Sequence, residues 1–494
     1  MLNLLPLKLK NSNKLLIFFL LSTVFVEIVW ILNSDGFYFI DDGCHFNYNR
    51  HYLEDLGRTV SSWSRIGRVL LYFPAAQFGL KGVQINAAIV FLITIIISYK
   101  ILKNAGINHA EWVIPFIAFQ PVLFNISFSS LAELPAASLI ILSFYFYQKN
   151  RDNLAMLCAS LTFIFRTEMY FVAGIYLLIY LKQKKYKTLI PFFIGPLFWI
   201  IYTLVITGSL HSLFENLFLH TKLPRITQGV KWYHYILLAP KTYGIFQTLF
   251  FIIGLIYILF TRELKKFIIL LLVVFGGIAG HTLAALDGLN TTCSVGQVRY
   301  ISIVGPALAI ISVLGMSYLA TKINRSIRII FAVIIFTISF IFGPLVTPFH
   351  KKYEIEKISD KFANKIHTQY QGYVIISDLY QIANALDEPS SGGKIYKPLT
   401  KKNLSDYNKA LIIWESSLDG SPFTQESLTR KDIENLPAIR LIDSINVIIN
   451  HNYDFPIYSL RELSPEFVKE ILDYFMKEQN CWENIFIKVY LKDS

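Results

Sequence analysis

The chain has 494 residues, of which 54% are hydrophobic, 15% aromatic and only 16% charged, and its mean hydropathy is +0.47. That composition excludes a string of soluble domains and marks a polytopic α-helical membrane protein, because repeated apolar runs of roughly 20 residues can each cross a bilayer core of about 30 Å. The net charge of +12 does not indicate a nucleic-acid partner, since much of it lies in short connections between apolar runs, which is the positive-inside pattern.

The first apolar run is 15–32. It continues to Trp30-Ile31-Leu32 with no small-x-small site behind it, so it reads as a retained helix rather than a cleaved signal. A polar loop, 33–82, follows, with Asp41-Asp42 near its start. Carboxylates at the lip of an apolar bundle cost free energy unless solvated, paired or used. Within 46–82, Tyr48, Tyr52, Leu53, Leu56, Ile66, Val69, Leu70 and Phe73 recur at near-helical spacing among charges, predicting short amphipathic helices on the membrane interface.

Further spans are predicted at 83–101, 111–128, 133–148, 189–206, 243–260, 267–285, 298–319 and 328–346. The run 153–181 is interrupted by Arg166-Thr167-Glu168 and is read as two helices with Arg166 at the turn, for about eleven spans in all. With the N-terminus in the cytoplasm, the inner connections carry Lys8, Lys10, Lys14, Lys100, Lys103, Lys149, Arg151, Lys182–Lys187, Arg262, Lys265, Lys266, Lys322, Arg325 and Arg328. The short opposite connections, 129–132 and 286–297, carry no Lys or Arg. A second long outer loop, 207–241, holds Phe214, Leu217, Phe218, Trp232, Tyr233 and Tyr235 and is expected to be interfacial or a lid.

From residue 349 the charge rises and apolar runs shorten. Strands are predicted at Gly372–Ser377, Ala410–Trp414, Ile439–Leu441, Val447–Ile449 and Ile485–Leu491, with helices at Asp378–Leu386 and Pro465–Lys477. The chain therefore divides into a membrane domain, 1–348, and a small soluble α/β or α+β domain, 349–494, on the outer side. No nucleotide or nucleophile-elbow motif marks the second as catalytic. Residues 388–393, Glu-Pro-Ser-Ser-Gly-Gly, read as a plain loop. Cysteines 44, 158, 293 and 481 form neither a disulfide framework nor a metal spacing.

The polar residues of interest all fall on one side of this topology. Asp41 and Asp42 are candidate bases or a simple Asp-Asp-Gly turn. Glu133 is a second acid, or a helix-start Glu favourable to the dipole. Arg166 and Glu168 either pair with each other or line a cavity. Arg299-Tyr300 opens the tenth span, where Arg299 is a phosphate clamp or a snorkelling side chain. His281 and Asp287 stand near the outer end of the preceding span. Glu27, two turns before the loop, is expected to pair with a basic side chain. Arg58, Arg65 and Arg68 are placed on a solvated or lipid-facing surface, where they are candidates for lipid phosphates. A divalent cation at Asp41-Asp42 rests on two adjacent carboxylates alone.

The order and sidedness of these motifs resemble the GT-C superfamily of integral-membrane glycosyltransferases, which includes protein O-mannosyltransferases and the lipid A aminoarabinose transferase. The resemblance covers residues 1–346. Its members place an acidic pair, often Asp-Glu, soon after the first span, as Asp41-Asp42 here. A small-polar-Glu stretch matches Ser130–Glu133, a Thr-Arg-Pro-Glu matches Phe165–Glu168 without its Pro, and an Arg-Tyr matches Arg299-Tyr300. Asp-Asp in place of Asp-Glu leaves open which carboxylate is the base. The resemblance implies inverting transfer of a sugar from a polyprenyl-phosphate donor to a glycan, lipid or protein acceptor, outside a bacterial inner membrane and without a required metal. Asp41, Asp42 and Glu133 would be catalytic, and Arg166, Glu168, His281, Arg299 and Tyr300 would bind donor and phosphate. A transporter would instead put charges deep in several spans, and a lipid-linked polysaccharide polymerase or ligase would rely on basic outer loops.

Overall fold

The structure is a computed structural model that describes residues 5–61, 63–209, 211, 230–261, 263–286, 297–416, 426, 428–448 and 484–493. Among the described residues, six helical segments are long and apolar enough to cross a membrane: Lys14–Asn33, Gly79–Asn104, Tyr186–Thr207, Leu264–Ala285, Val298–Ala320 and Arg325–Val346. The other expected spans fall on shorter apolar helices, among them Glu133–Gln148, Asp152–Phe165, Phe171–Lys182 and Ile245–Phe260. The expected span 111–128 is instead two short helices, Val113–Ala118 and Pro121–Ile126. Pro121 at the start of the second removes a backbone donor and fixes the break.

Nearly every residue of Gly305–Ala320 is buried, so this helix is the axis of the bundle. It lies close against Ile245–Phe260, because a Cβ on Gly254 would stand 2.2 Å from the Ile311 carbonyl and one on Gly315 2.1 Å from that of Phe250. Small residues at a crossing let two helix backbones touch, and in lipid such close packing drives helix association. Mostly exposed apolar faces on Tyr186–Thr207 and Arg325–Phe342 form the rim.

The expected loop 33–82 is largely helical. It holds Ile40–Arg50, a 3₁₀ turn at Leu56–Val60, and Ile66–Ala76, while the next span already begins at Gly79. These helices pack into protein rather than lying on an interface: Ile66, Val69 and Tyr72 are fully buried. In the second long loop, Phe214, Leu217 and Phe218 lie outside the described residues. Trp232 and Tyr233 are exposed and Tyr235 is buried, beside the short helices His234–Leu237 and Ala239–Tyr243.

The soluble part opens with a helix not foreseen from the sequence, Glu354–Thr368. A five-stranded sheet follows, in the order β2-β1-β3-β5-β4, with β1 Val374–Ser377, β2 Tyr396–Lys397, β3 Lys409–Glu415, β4 Ile439–Ile448 and β5 Asn484–Asp493. β1 runs parallel to β2 and β3, and β5 runs antiparallel to β3 and β4. The two strand pieces expected at 439–441 and 447–449 are one strand with a bulge between Leu441 and Asp443. The expected helix 465–477 and Cys293 and Cys481 lie outside the described residues.

Glu356 closes a capping box on the first helix of this domain, its Oε2 accepting from Tyr353 N at 2.8 Å. Burial pushes its carboxyl up to about 8. The folded state therefore keeps a proton that the unfolded chain releases above the ordinary value of 4.5, and stability falls as pH rises from there to about 8. Glu356→Gln is expected to flatten that slope in thermal melts between pH 5 and 8.5. A variant that melts with the wild-type pH dependence would contradict this.

Candidate active site

The acid pair opens a helix rather than a loop: Phe39 is extended, and Asp41 and Asp42 fill the first turn of Ile40–Arg50. There the helix dipole favours negative charge. The two carboxylates have different surroundings. Asp42 is 2% exposed. Its Oδ1 accepts from Ser130 N at 2.7 Å and Ser130 Oγ at 2.6 Å, and its Oδ2 accepts from Tyr38 N at 3.1 Å. Burial raises its pKa, against the pull of these hydrogen bonds and of Arg68. Asp41 is 24% exposed at its side chain and forms an ion pair with Arg299 Nη2.

Glu133 begins Glu133–Gln148 and is buried between two guanidinium groups. Its Oε1 lies 2.9 Å from Arg166 Nη2 and 3.9 Å from Arg299 Nε. Arg166 is extended and connects Asp152–Phe165 to a 3₁₀ turn, so the helix pair with Arg166 at its bend matches the expectation. Its Nε lies 3.1 Å from Glu168 Oε1. Burial works to raise the Glu168 pKa, but Arg166 and Arg65 outweigh it and bring it down to about 2. Tyr300 is the aromatic centre of the site, with Arg166 4.7 Å and Arg299 5.1 Å from its ring centroid. His281 stacks on the same ring at 5.7 Å. A cation over an aromatic face is held by the ring quadrupole.

The structure thus brings together all eight candidates: Asp41, Asp42, Glu133, Arg166, Glu168, His281, Arg299 and Tyr300. Asp287 lies outside the described residues. The expectations for four residues are corrected. Among the described residues Glu27 meets no basic side chain; its Oε1 accepts from Ser127 Oγ at 2.8 Å. Arg68 is fully buried, and it donates to Ser64 O, His45 O and Asn49 Oδ1, so it is a staple of the acid helix and not a lipid contact. Arg58 reaches Asp55 at 3.3 Å and Ser390 Oγ at 3.2 Å, facing the soluble domain. Arg65 stands among Arg166, Glu168 and Glu133, whose charges all act on it.

Several groups at the site escaped the sequence reading. His45 and Asn49 continue the stripe of Asp41 at i+4 and i+8 along one helix face. His45 is 6% exposed and packs against Trp63 at 4.8 Å, and burial together with Arg68 and Arg65 keeps its imidazole neutral. Among the described residues neither of its ring nitrogens has a hydrogen-bond partner, and the same holds for Arg299 Nη1, His281 Nε2 and Tyr72 Oη. Buried polar groups in native proteins are almost always satisfied, so orphans gathered beside an arginine cluster call for a bound group. The only sequence signal of His45 and Asn49 is their helical spacing from Asp41, masked by the turn signal of Asp-Asp-Gly. Among the described residues no three His, Cys, Asp or Glu side chains are grouped to hold a metal ion.

The arrangement can hold an anion with arginine and histidine donors, beside a half-open carboxylate. No family model matches the chain, and no curated protein does. Solved structures do. ArnT from Cupriavidus metallidurans in the apo state superposes with a TM-score of 0.56 at 10% identity, over 82% of this chain and 93% of that one. ArnT from the same organism bound to undecaprenyl phosphate superposes with a TM-score of 0.57 at 8% identity, over 96% and 97%. The chain is an integral membrane protein that shares the fold of these ArnT structures.

Proposed function

We propose that this protein is a membrane glycosyltransferase that moves a sugar from a polyprenyl-phosphate donor to an acceptor hydroxyl on the extracytoplasmic face. The observation that carries the reading is the Asp41–Arg299 pair, which sets a half-open carboxylate beside orphaned cationic donors at one end of an apolar bundle. The fold supports it, being shared with a structure bound to undecaprenyl phosphate. In the reaction, the acceptor oxygen attacks the anomeric carbon and its proton passes to Asp41. The bond from that carbon to the phosphate oxygen breaks, and its electron pair leaves on polyprenyl phosphate. Displacement from the opposite face inverts the anomeric centre. Arg299, Arg166 and His281 meet the charge that develops on the leaving phosphate, the largest electrostatic demand of such a step. Glu133 and Glu168 hold the two guanidinium groups apart and in place, and Tyr300 supports both from one face. Asp42 anchors the helix. No divalent cation is required in this scheme.

The proposed topology puts the N-terminus in the cytoplasm of a bacterial inner membrane, with residues 349–494 outside. Lys149 Nζ donates to Asn104 Oδ1 at 3.0 Å, which gathers basic helix ends at the pole away from Glu133, as the positive-inside pattern requires.

The test is to incubate the protein in lipid with a panel of polyprenyl-phosphate sugars and mixed acceptors, with and without EDTA, and to measure released polyprenyl phosphate. Release from one donor identifies the sugar and the class. No release from any donor would favour transport or polysaccharide ligation. His45→Phe is a sharper probe of the phosphate pocket. It removes two buried orphan nitrogens, so melting should rise or stay level. Affinity for polyprenyl phosphate should fall about tenfold, equivalent to about 1.4 kcal/mol. Unchanged affinity would make His45 a plain core residue.

A further inference from the structure

The helix that carries Asp41 is gripped from two sides. From the membrane bundle, Ser130 holds Asp42. From the soluble domain, a second set of contacts runs the length of the helix. At its lead-in, Gly36 N donates to His350 O at 2.7 Å and Tyr353 Oη to Tyr38 O at 2.9 Å. At its middle, Asn384 Nδ2 donates to Gly43 O at 3.1 Å, and Asn47 Nδ2 donates to Asn384 Oδ1 and to Glu388 O, each at 2.9 Å. Asn47 Oδ1 in turn accepts from Ser390 N at 2.8 Å. At its end, Arg50 makes a bidentate pair with Asp387, with both bonds at 2.9 Å. The loop 388–393, which read as nothing more than a loop, is therefore part of the grip.

The helix needs these contacts. It has eleven residues, Ile-Asp-Asp-Gly-Cys-His-Phe-Asn-Tyr-Asn-Arg, too short to persist alone and rich in weak helix formers. Gly43 is a point of close approach within the helix: a Cβ there would stand 2.8 Å from Tyr380 Cε2. The soluble domain thus presses its Tyr380–Ala385 helix onto the residue next to Asp42.

We propose that the soluble domain is a clamp on the acid helix, with Tyr380 and Asn384 as positioning residues that set where Asp41 stands for transfer. The proposal rests on the glycosyl-transfer reading for its kinetic consequence, but not for its structural one. Gly43→Ala separates the two roles. Alanine in place of glycine ordinarily favours a helix, so without the clamp the variant would be neutral or more protected from exchange. With the clamp, the added methyl meets Tyr380 and levers the domain away.

The experiment uses the full chain in lipid and compares wild type, Gly43→Ala, Asn384→Ala and the double variant Gly43→Ala/Tyr380→Leu. Amide hydrogen exchange across 40–50 is expected to rise at least tenfold in the two single variants, with 305–320 unchanged. Turnover for polyprenyl phosphate release is expected to fall at least tenfold, with the donor KM within twofold. The double variant, which returns the space, is expected to recover most of both. Unchanged exchange across 40–50, or an equal rise throughout the bundle, would overturn the clamp. If wild type releases no polyprenyl phosphate from any donor, the glycosyl-transfer reading fails, and the exchange pattern still decides whether the domain clamps the helix.

Discussion

Asp41→Asn is expected to abolish most polyprenyl phosphate release while leaving the protein folded, and Asp42→Asn is expected to do the opposite. The two carboxylates are neighbours in sequence and differ in what they can still accept. Asp41 is partly open, and its one ion pair, at Oδ2, leaves the carboxylate capacity to take a proton. A general base contributes about 10²–10⁴-fold to such a transfer, and an amide cannot replace it. Asp42 already accepts three hydrogen bonds in a buried setting. Asparagine there keeps an oxygen for Ser130 but turns an NH₂ toward the Tyr38 N–H. Two donors then face each other, at a cost of about 1–3 kcal/mol of stability. Turnover and thermal melting, measured on both variants, separate the roles. Lost turnover with unchanged melting in Asp42→Asn, and the reverse in Asp41→Asn, would exchange the assignments.

Glu133→Gln is expected to be among the most destabilising single changes in the bundle. Its carboxylate is the shared counter-charge of Arg166 and Arg299, both nearly buried. Arg166 keeps Glu168 and Arg299 keeps Asp41, but the buried cluster is left with one positive charge in excess, and an uncompensated buried charge typically costs about 3–5 kcal/mol. An anion bound at the same guanidinium groups restores the missing charge. Added polyprenyl phosphate should therefore raise the melting temperature of Glu133→Gln more than that of wild type, and Glu133→Asp should fall between the two. Wild-type melting in Glu133→Gln would show that this carboxylate does not neutralise the cluster.

Much of the site was legible because membrane burial makes ionisable residues conspicuous. Glu133, Arg166 and Arg299 stand out against apolar runs, and alternation of the spans puts them at one pole with Asp41. The short helices expected within 46–82 are present; what failed was the start of that segment, read as a turn, and its placement on the membrane interface. Asp-Asp-Gly and scattered polar residues satisfy the rules for a turn, yet neighbours from the bundle and the soluble domain hold 40–50 as a helix. Local propensity yields where tertiary contacts supply the missing free energy. The misreading hid His45 and Asn49, whose only signal is helical spacing. Arg68 was misplaced on a different ground: its charge suggested a surface, but its donors are satisfied inside by Ser64, His45 and Asn49.

The sequence by itself determined the membrane class, the approximate spans, the interruption at Arg166 and the gathering of acids and arginines on one side. Each of these follows from hydropathy and charge, which act residue by residue against the bilayer. Only the tertiary structure decided that Asp42 is an anchor and Asp41 the half-open carboxylate, that Glu133 bridges two arginines, and that the loop 388–393 grips the acid helix. Those roles depend on which of several equivalent polar groups finds a partner across 33 to 343 residues of chain, and no local pattern encodes that choice.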